Sequence, residues 1–489
     1  MSPAHHSAQH RWRVLVLVAA VLVAVAVVTR SPGTAAPGGP PVSAASTVSA
    51  PNAESSAWYC TGQTTPSGQI AAGIVILTNT GTRAVSGSIA AVTDSGATSD
   101  TGIAVPARGQ VVANVTPPET GAWMSETVVL SGGGVAVTQA VHGPAGWAEA
   151  PCQSTTSPQW FFPSGLTTGS NALFIALYNP TSTPDVVDLS FVTPSGTSHP
   201  INFQGIVLEP GKTEVENVGA FVQNQARVAT TVTTRTGRVV ASETQVLAGS
   251  GSGLAILAGS PRAERQWSIP ESLEVSGGAS SIDVFNPGPT TESVTVRARL
   301  ASGPLSPISA QVLPGTSWVL STSSETRIPE GDAYAAEIEA KGGPGVVVGR
   351  VVAAPSTAQA PQAGMASAVG ALGMVSPSHL WVVPSPGSTA SPVVPGVLPA
   401  HLALDNSTAT AEHYVVYVMG RSGTRTLTSG TLAPSAFISF GDGLLFGAGL
   451  NPLLVRSSGP LAVSEDVGPA GTYGVVTMPG IPLDAALAG

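Results

Sequence analysis

The chain has 489 residues, enough for several cores, and is 43% hydrophobic but only 10% charged, against about 25% charged in an ordinary domain. That balance excludes a disordered chain, which needs low hydrophobicity with high charge, and leaves Ser, Thr, Asn, Gln and Gly to form the polar surface. A net charge of −9, two lysines (Lys212 and Lys341) and scattered arginines provide no basic patch to neutralise phosphates, which argues against nucleic-acid partners.

At the N-terminus, His5, His6, His10, Arg11 and Arg13 precede an unbroken apolar run over 14–28. The positive flank predicts a cytoplasmic tail over 1–13. Fifteen residues make about 22 Å of helix, short of the roughly 30 Å hydrocarbon core, so the run stands between a signal peptide and a span. Small-residue cleavage sites are poor at Gly33-Thr34-Ala35 and distant at Val42-Ser43-Ala44. This favours an uncleaved signal-anchor over 14–30 in a single-pass membrane protein, with secretion after cleavage as the alternative. Residues 31–56, rich in Pro, Ala, Ser and Gly, read as a flexible linker. Either way the bulk of the chain is expected outside the cytoplasm. Cys60 and Cys152, an even pair in an exported chain, are then expected to form a disulfide, against the plainer reading of two buried thiols.

Downstream, one pattern occurs four times. A Trp opens each copy (Trp58, Trp160, Trp267, Trp381), and in three a Pro follows (Pro163, Pro270, Pro384). An alternating apolar run then ends at Asn79, Asn179, Asn286 or Asn406, and a Gly lies 17 residues after each Asn, at Gly96, Gly196, Gly303 and Gly423. Asn closes turns through its side chain and Pro fixes φ, so these are turn signals with a mechanism. Alternating runs such as Val186-Val187-Asp188-Leu189-Ser190-Phe191 and Val294-Thr295-Val296-Arg297-Ala298 supply about seven short strands per copy. The expected fold is all-β: four tandem immunoglobulin-like sandwiches over 57–153, 158–260, 265–354 and 379–489, with a linker over 355–378 as the hinge. The alternative is a β-propeller with two blades of about 40–50 residues in each repeat.

These elements resemble a repeat of bacterial surface proteins: Trp267-Ser268-Ile269-Pro270, Asn286-Pro287, Ser302-Gly303, Pro314-Gly315, and a late Glu in Ala241-Ser242-Glu243 and Val463-Ser464-Glu465. With the N-terminal segment and the Trp58-Tyr59-Cys60 opening, the layout resembles a domain-of-unknown-function family of secreted actinobacterial envelope proteins. The resemblance implies fold and location and brings no active site. Repeat three departs from it, with Val348-Gly349-Arg350 where the late Glu belongs, so that Glu does not read as a shared ligand.

The sequence holds no Gly-x-Ser-x-Gly, Ser-x-x-Lys or His-Glu-x-x-His motif, so no catalytic, cofactor or metal residues are expected. The repeat Asn residues read as structural. The opening Trp residues could stack sugars or plug cores, the latter being commoner; Trp147, in a Gly/Pro-rich segment, reads as the most exposed aromatic. The expected function is a non-enzymatic, membrane-tethered scaffold of the bacterial envelope. The alternative is a wall-polysaccharide-binding protein using Trp147, Trp160, Trp267 and Trp381. Partners are accordingly envelope proteins or wall polysaccharide.

Overall fold

Alternation dictates the architecture. In Asp185–Thr193, Glu292–Leu300 and Glu412–Gly420 the first, third, fifth, seventh and eighth residues are buried, while the second, fourth and sixth are not. Period-two burial puts one face of each strand on a core. The computed structural model describes residues 48–50, 52–113, 115–248, 253–274, 279–353, 368–375, 377–385, 400–445, 448, 451–467 and 476–483. The expectations for 1–13 and 14–30, most of the 31–56 linker, and most of 355–378 lie outside them.

The first unit contains β1 (Ser56–Thr64), β2 (Ala72–Asn79), β3 (Val85–Thr93), β4 (Thr98–Val105), β5 (Gly109–Ala113), β6 (Trp123–Leu130), β7 (Val135–Gly143) and β8 (Gly146–Pro151). The second contains β9 (Gln159–Phe162), β10 (Ala172–Tyr178), β11 (Asp185–Thr193), β12 (Gly196–Ser198), β13 (Ile206–Leu208), β14 (Thr213–Asn217), β15 (Ala229–Thr236), β16 (Val240–Leu247) and β17 (Gly253–Ala258). The third contains β18 (Gln266–Leu273), β19 (Ala279–Asn286), β20 (Glu292–Leu300), β21 (Gly303–Pro304), β22 (Ile308–Val312), β23 (Thr316–Ser321), β24 (Ala333–Lys341), β25 (Val347–Ala353) and β26 (Ala368–Leu372). The fourth contains β27 (Ser378–Val383), β28 (Ala400–Asn406), β29 (Glu412–Gly420), β30 (Gly423–Leu432), β31 (Ala436–Phe440), β32 (Leu453–Val467), β33 (Val476–Pro479) and β34 (Ile481–Pro482).

Each unit is two sheets on one core. In the first, β4-β3-β6-β1 form one layer and β5-β2-β7-β8 the other, the two joined where Thr64 of β1 bridges Ala72 of β2. Counted by the first unit's positions, with position four split into β12 and β13 in the second unit and into β21 and β22 in the third, and positions six and seven merged in the fourth, the later units repeat this order. The fourth runs strands six and seven together: β32 pairs with β27 and β29 near its start and with β28 and β33 near its end. One core cluster per unit draws on both sheets, as Trp160, Ile175, Leu177, Leu189, Phe191 and Val232 do in the second. Each such side chain contributes roughly 1.5–3 kcal/mol on burial. The first strand pairs antiparallel with the sixth, whereas in the immunoglobulin order the first strand lies beside the second. The resemblance to that fold is therefore one of layers and not of strand order.

The four units close into a ring. The β1 sheet packs on the β10 sheet, the β9 sheet on the β19 sheet, and the β18 sheet on the β28 sheet. The last junction brings Val382 and Met419 of the fourth unit against Ala136 of the first, with Val48 between them, and Gln110 exchanges two hydrogen bonds with the backbone of Ser385 (2.7 and 2.9 Å). The eighth strands β8, β17, β26 and β33 contact one another in sequence around the centre. This is one head-to-tail interface used four times with a rotation that closes. The propeller alternative thus anticipates the radial repetition, but the sheets are not meanders. Two further expectations are corrected. The stretch expected as a hinge supplies β26, paired with β25, and the linker is docked at its end, where Val48 is buried. Among the described residues no helix is long and apolar enough to cross a membrane.

Candidate functional site

The repeat Asn residues share one geometry. Each is fully buried, and its amide donates to the carbonyl four residues on: Arg83, Thr183, Thr290 and Thr410, at 2.7–2.8 Å. It also donates to the strand preceding the next bend, at Val105, Leu208, Val312 and Leu432. The carboxamide oxygen accepts a backbone N–H two residues on. Both amide hydrogens and the carboxamide oxygen are thus engaged by the framework. Gly96, Gly196, Gly303 and Gly423 all have positive φ, the backbone a Gly turn supplies at least cost.

The Trp rings are all buried, Trp58, Trp147, Trp160, Trp267 and Trp381 each at 1% exposure or less. Trp160, Trp267 and Trp381 donate to the Val239, Val346 and Leu461 carbonyls (2.8–3.0 Å). None offers a ring face to solvent, so a stacking platform cannot be built on them. Trp147 lies on β8, which meets β17 and β33 of the adjoining units; that cover is why its Gly/Pro-rich surroundings misled. Cys60 and Cys152 are bonded to each other and close a loop of 92 residues.

Function is more legible on the seventh strand. Gln139, Glu243, Arg350 and Glu465 stand opposite Val75, Ile175, Ile282 and Leu402, each four residues before the repeat Asn. All four positions are buried, and at three of them the side chain meets other polar groups of the protein. Gln139 accepts from Gln63 (3.1 Å) and donates to the Thr61 carbonyl. Arg350 bonds Asp466 across the third junction (3.3–3.4 Å) and donates to the Glu271 carbonyl. Glu465 lies near Glu149 of the first unit; burial first, then Glu149 and Asp466, raise its carboxyl well above the ordinary range. Glu243 differs. It is 1% exposed, yet neither carboxyl oxygen has a hydrogen-bond partner among the described residues. Burial alone pushes its carboxyl far upward.

The cause is a short first strand. β9 has four residues, against nine in β1 and eight in β18. In β1 and β18 the ladder passes through a bulge and resumes, and these longer strands carry Gln63 and Glu271 towards the seventh strand. After Phe162 the chain instead leaves through Pro163-Ser164-Gly165. There the Gly165 carbonyl accepts from the Val228 amide (2.8 Å) and the Leu166 amide donates to Gln245 (2.8 Å). The uncovered space is a cleft of about 380 Å3 between the second and third units. One wall is aliphatic, from Leu166, Leu247, Ala255 and Leu257, with Glu243 set in it. The other carries Ser280, Ser281, Ser321 and Asp283. Arg227 neutralises Asp283 at 3.0 Å, and Ser281 donates to the same carboxylate (2.8 Å). Burial disfavours the charged form of Glu243 and Arg227 offsets Asp283, so the cleft tends towards neutrality. Its volume falls in the roughly 300–1,000 Å3 range of small-ligand sites. Among the described residues no group of three metal-ligating side chains occurs.

The class thus defined is an all-β protein of two-sheet units closed into a ring. A family model described as "Family of unknown function (DUF5719)" matches residues 127–335, from β6 into β24. No curated protein matches the chain. Among solved structures it is similar to Thermotoga maritima 1070, with 16% identity over 23% of this chain and 93% of that one, and a TM-score of 0.20. It is also similar to a tetra-tandem repeat from the extending region of a large adhesion protein, with 11% identity over 87% of this chain and 99% of that one, and a TM-score of 0.12. Such low scores carry no argument about function.

Proposed function

We propose that the chain is a non-enzymatic scaffold of the bacterial envelope, tethered to the membrane through residues 14–30, with the ring held outside the cytoplasm. The observation that carries this reading is where the polar side chains go. The repeat Asn residues, Arg299 with Asp405 (2.6 and 2.8 Å) and Arg350 with Asp466 all hold the framework together. A framework with fixed junctions suits positioning of partners. Exposed apolar residues on the second and third units, Val207, Phe221 and Leu313, are the candidate contacts for envelope proteins. Photo-crosslinkers placed singly at these positions in growing cells test it. Discrete protein adducts are expected, and an absence of adducts at all three overturns the reading.

The second reading, binding of wall polysaccharide, is favoured by the near-neutral cleft rather than by the Trp residues. Co-sedimentation of the chain with purified sacculi tests it: saturable pelleting supports it and none counts against it.

A further inference from the structure

Among the described residues, the cleft between the second and third units is a large space whose walls include a fully buried polar side chain left without a partner. Its two walls differ in kind. The aliphatic wall can pack against carbon-bound hydrogens, and the opposite wall presents the hydroxyl oxygens of Ser321 and of Ser281, which donates to Asp283 (2.8 Å) and accepts from Arg227 (3.1 Å). Those oxygens retain lone pairs for a ligand's hydroxyl donors. Asn171 and Gln245 are tied down by the Ala248 and Leu166 amides (both 2.8 Å), so they shape the cleft without offering free amides. The charged pair on its walls, Arg227 with Asp283, is internally compensated. What is missing is a group that both accepts from and donates to the Glu243 carboxyl, since a buried polar group without a partner costs about 1–3 kcal/mol.

We infer that the cleft binds an uncharged saccharide of one or two rings, whose apolar face lies on Leu166, Leu247 and Leu257 and whose hydroxyl or acetamido group pairs with Glu243. A pyranose has this two-sided character: one face of carbon-bound hydrogens and a rim of hydroxyls. A charged ligand fits less well, because the compensated Arg227–Asp283 pair leaves no net charge to meet it and buried charge is costly unless paired. The inference rests on the polysaccharide reading and makes it specific.

The test is saturation-transfer NMR and calorimetry on the full chain with cellobiose and N,N′-diacetylchitobiose, with de-acetylated chitobiose as the cationic comparison. Saturable binding of a neutral disaccharide is expected. It should weaken at least tenfold in Glu243→Leu and in Ala279→Trp, which puts a bulky ring on an exposed lining position, and persist in Glu243→Gln, whose amide still donates and accepts. Ala279→Trp lies outside the buried carboxyl's surroundings, so its effect is separable from misfolding by its melting temperature. No binding of either neutral disaccharide at millimolar concentration overturns the inference. So does binding indifferent to both blocking variants, or a preference for the cationic sugar. Free disaccharides separate this outcome from the sacculus assay, in which intact polymer can fail to enter a cleft that binds its units.

Discussion

The second and third junctions of the ring use the same sheets and the same strand positions, and they end up chemically opposite. At the third, the seventh-strand position is Arg350, which meets Asp466, while Arg299, its side chain only 5% exposed, grips both oxygens of Asp405. The space left there is about 10 Å3. At the second, the same position is Glu243 facing about 380 Å3. A difference of a few residues in the length of the first strand decides which: where β18 continues, Glu271 and Arg350 fill the gap, and where β9 stops, nothing does. A junction can thus be a lock or a receptacle without any change of topology.

The contrast predicts opposite signs. Arg350→Ala should destabilise by about 3–5 kcal/mol, because Asp466 is left buried and unpaired, with Arg350→Met/Asp466→Leu recovering most of it; chemical denaturation reads both. Full loss in the double variant would show that the junction needs charge as such. Next comes pH. Burial pushes Glu126 and Glu149 to about 8 from an ordinary 4.5. Between those values the folded chain keeps protons that the unfolded chain releases, so stability falls as pH rises from about 4.5 and levels off above about 8. Urea midpoints at pH 5, 6.5, 8 and 9 check this, and Glu149→Gln should flatten the curve; a midpoint rising with pH would contradict it. Glu243→Leu should be neutral or stabilising at pH 7, by up to about 2 kcal/mol, since it removes a buried group without a partner. Marked destabilisation would mean that Glu243 is a structural member. Smallest is Asp188→Ala. Its pair with Arg235 is largely exposed, and the thermal midpoint should register less than about 1 kcal/mol.

Strands and turns were legible because they are local. Period-two burial fixes Val187, Leu189 and Phe191 on the core, and Asn179 closes its own turn. The cysteine pairing was legible from the even count together with the expectation of an exported chain. The ring did not show, because its contacts join residues 106, 116 and 275 apart and leave no periodicity. The site was half visible. The late Glu was singled out and then discounted because repeat three carries Arg350, yet that reversal of charge at one aligned position was the signal that the junctions differ. What no pattern revealed was that β9 stops short after Phe162, since Pro163 has a counterpart, Pro270, inside a strand that continues.

Closure also gives the molecule redundancy. In an open row, each inner junction is a single point of failure, and its loss divides the chain into two bodies joined by a tether. In the ring, opening any one junction, including the seam at Gln110 and Ser385, leaves three others in place and keeps the parted faces at high effective concentration. Release of a unit takes two simultaneous ruptures, so a junction kept hollow for a ligand can be the weakest of the four without becoming the place where the molecule comes apart.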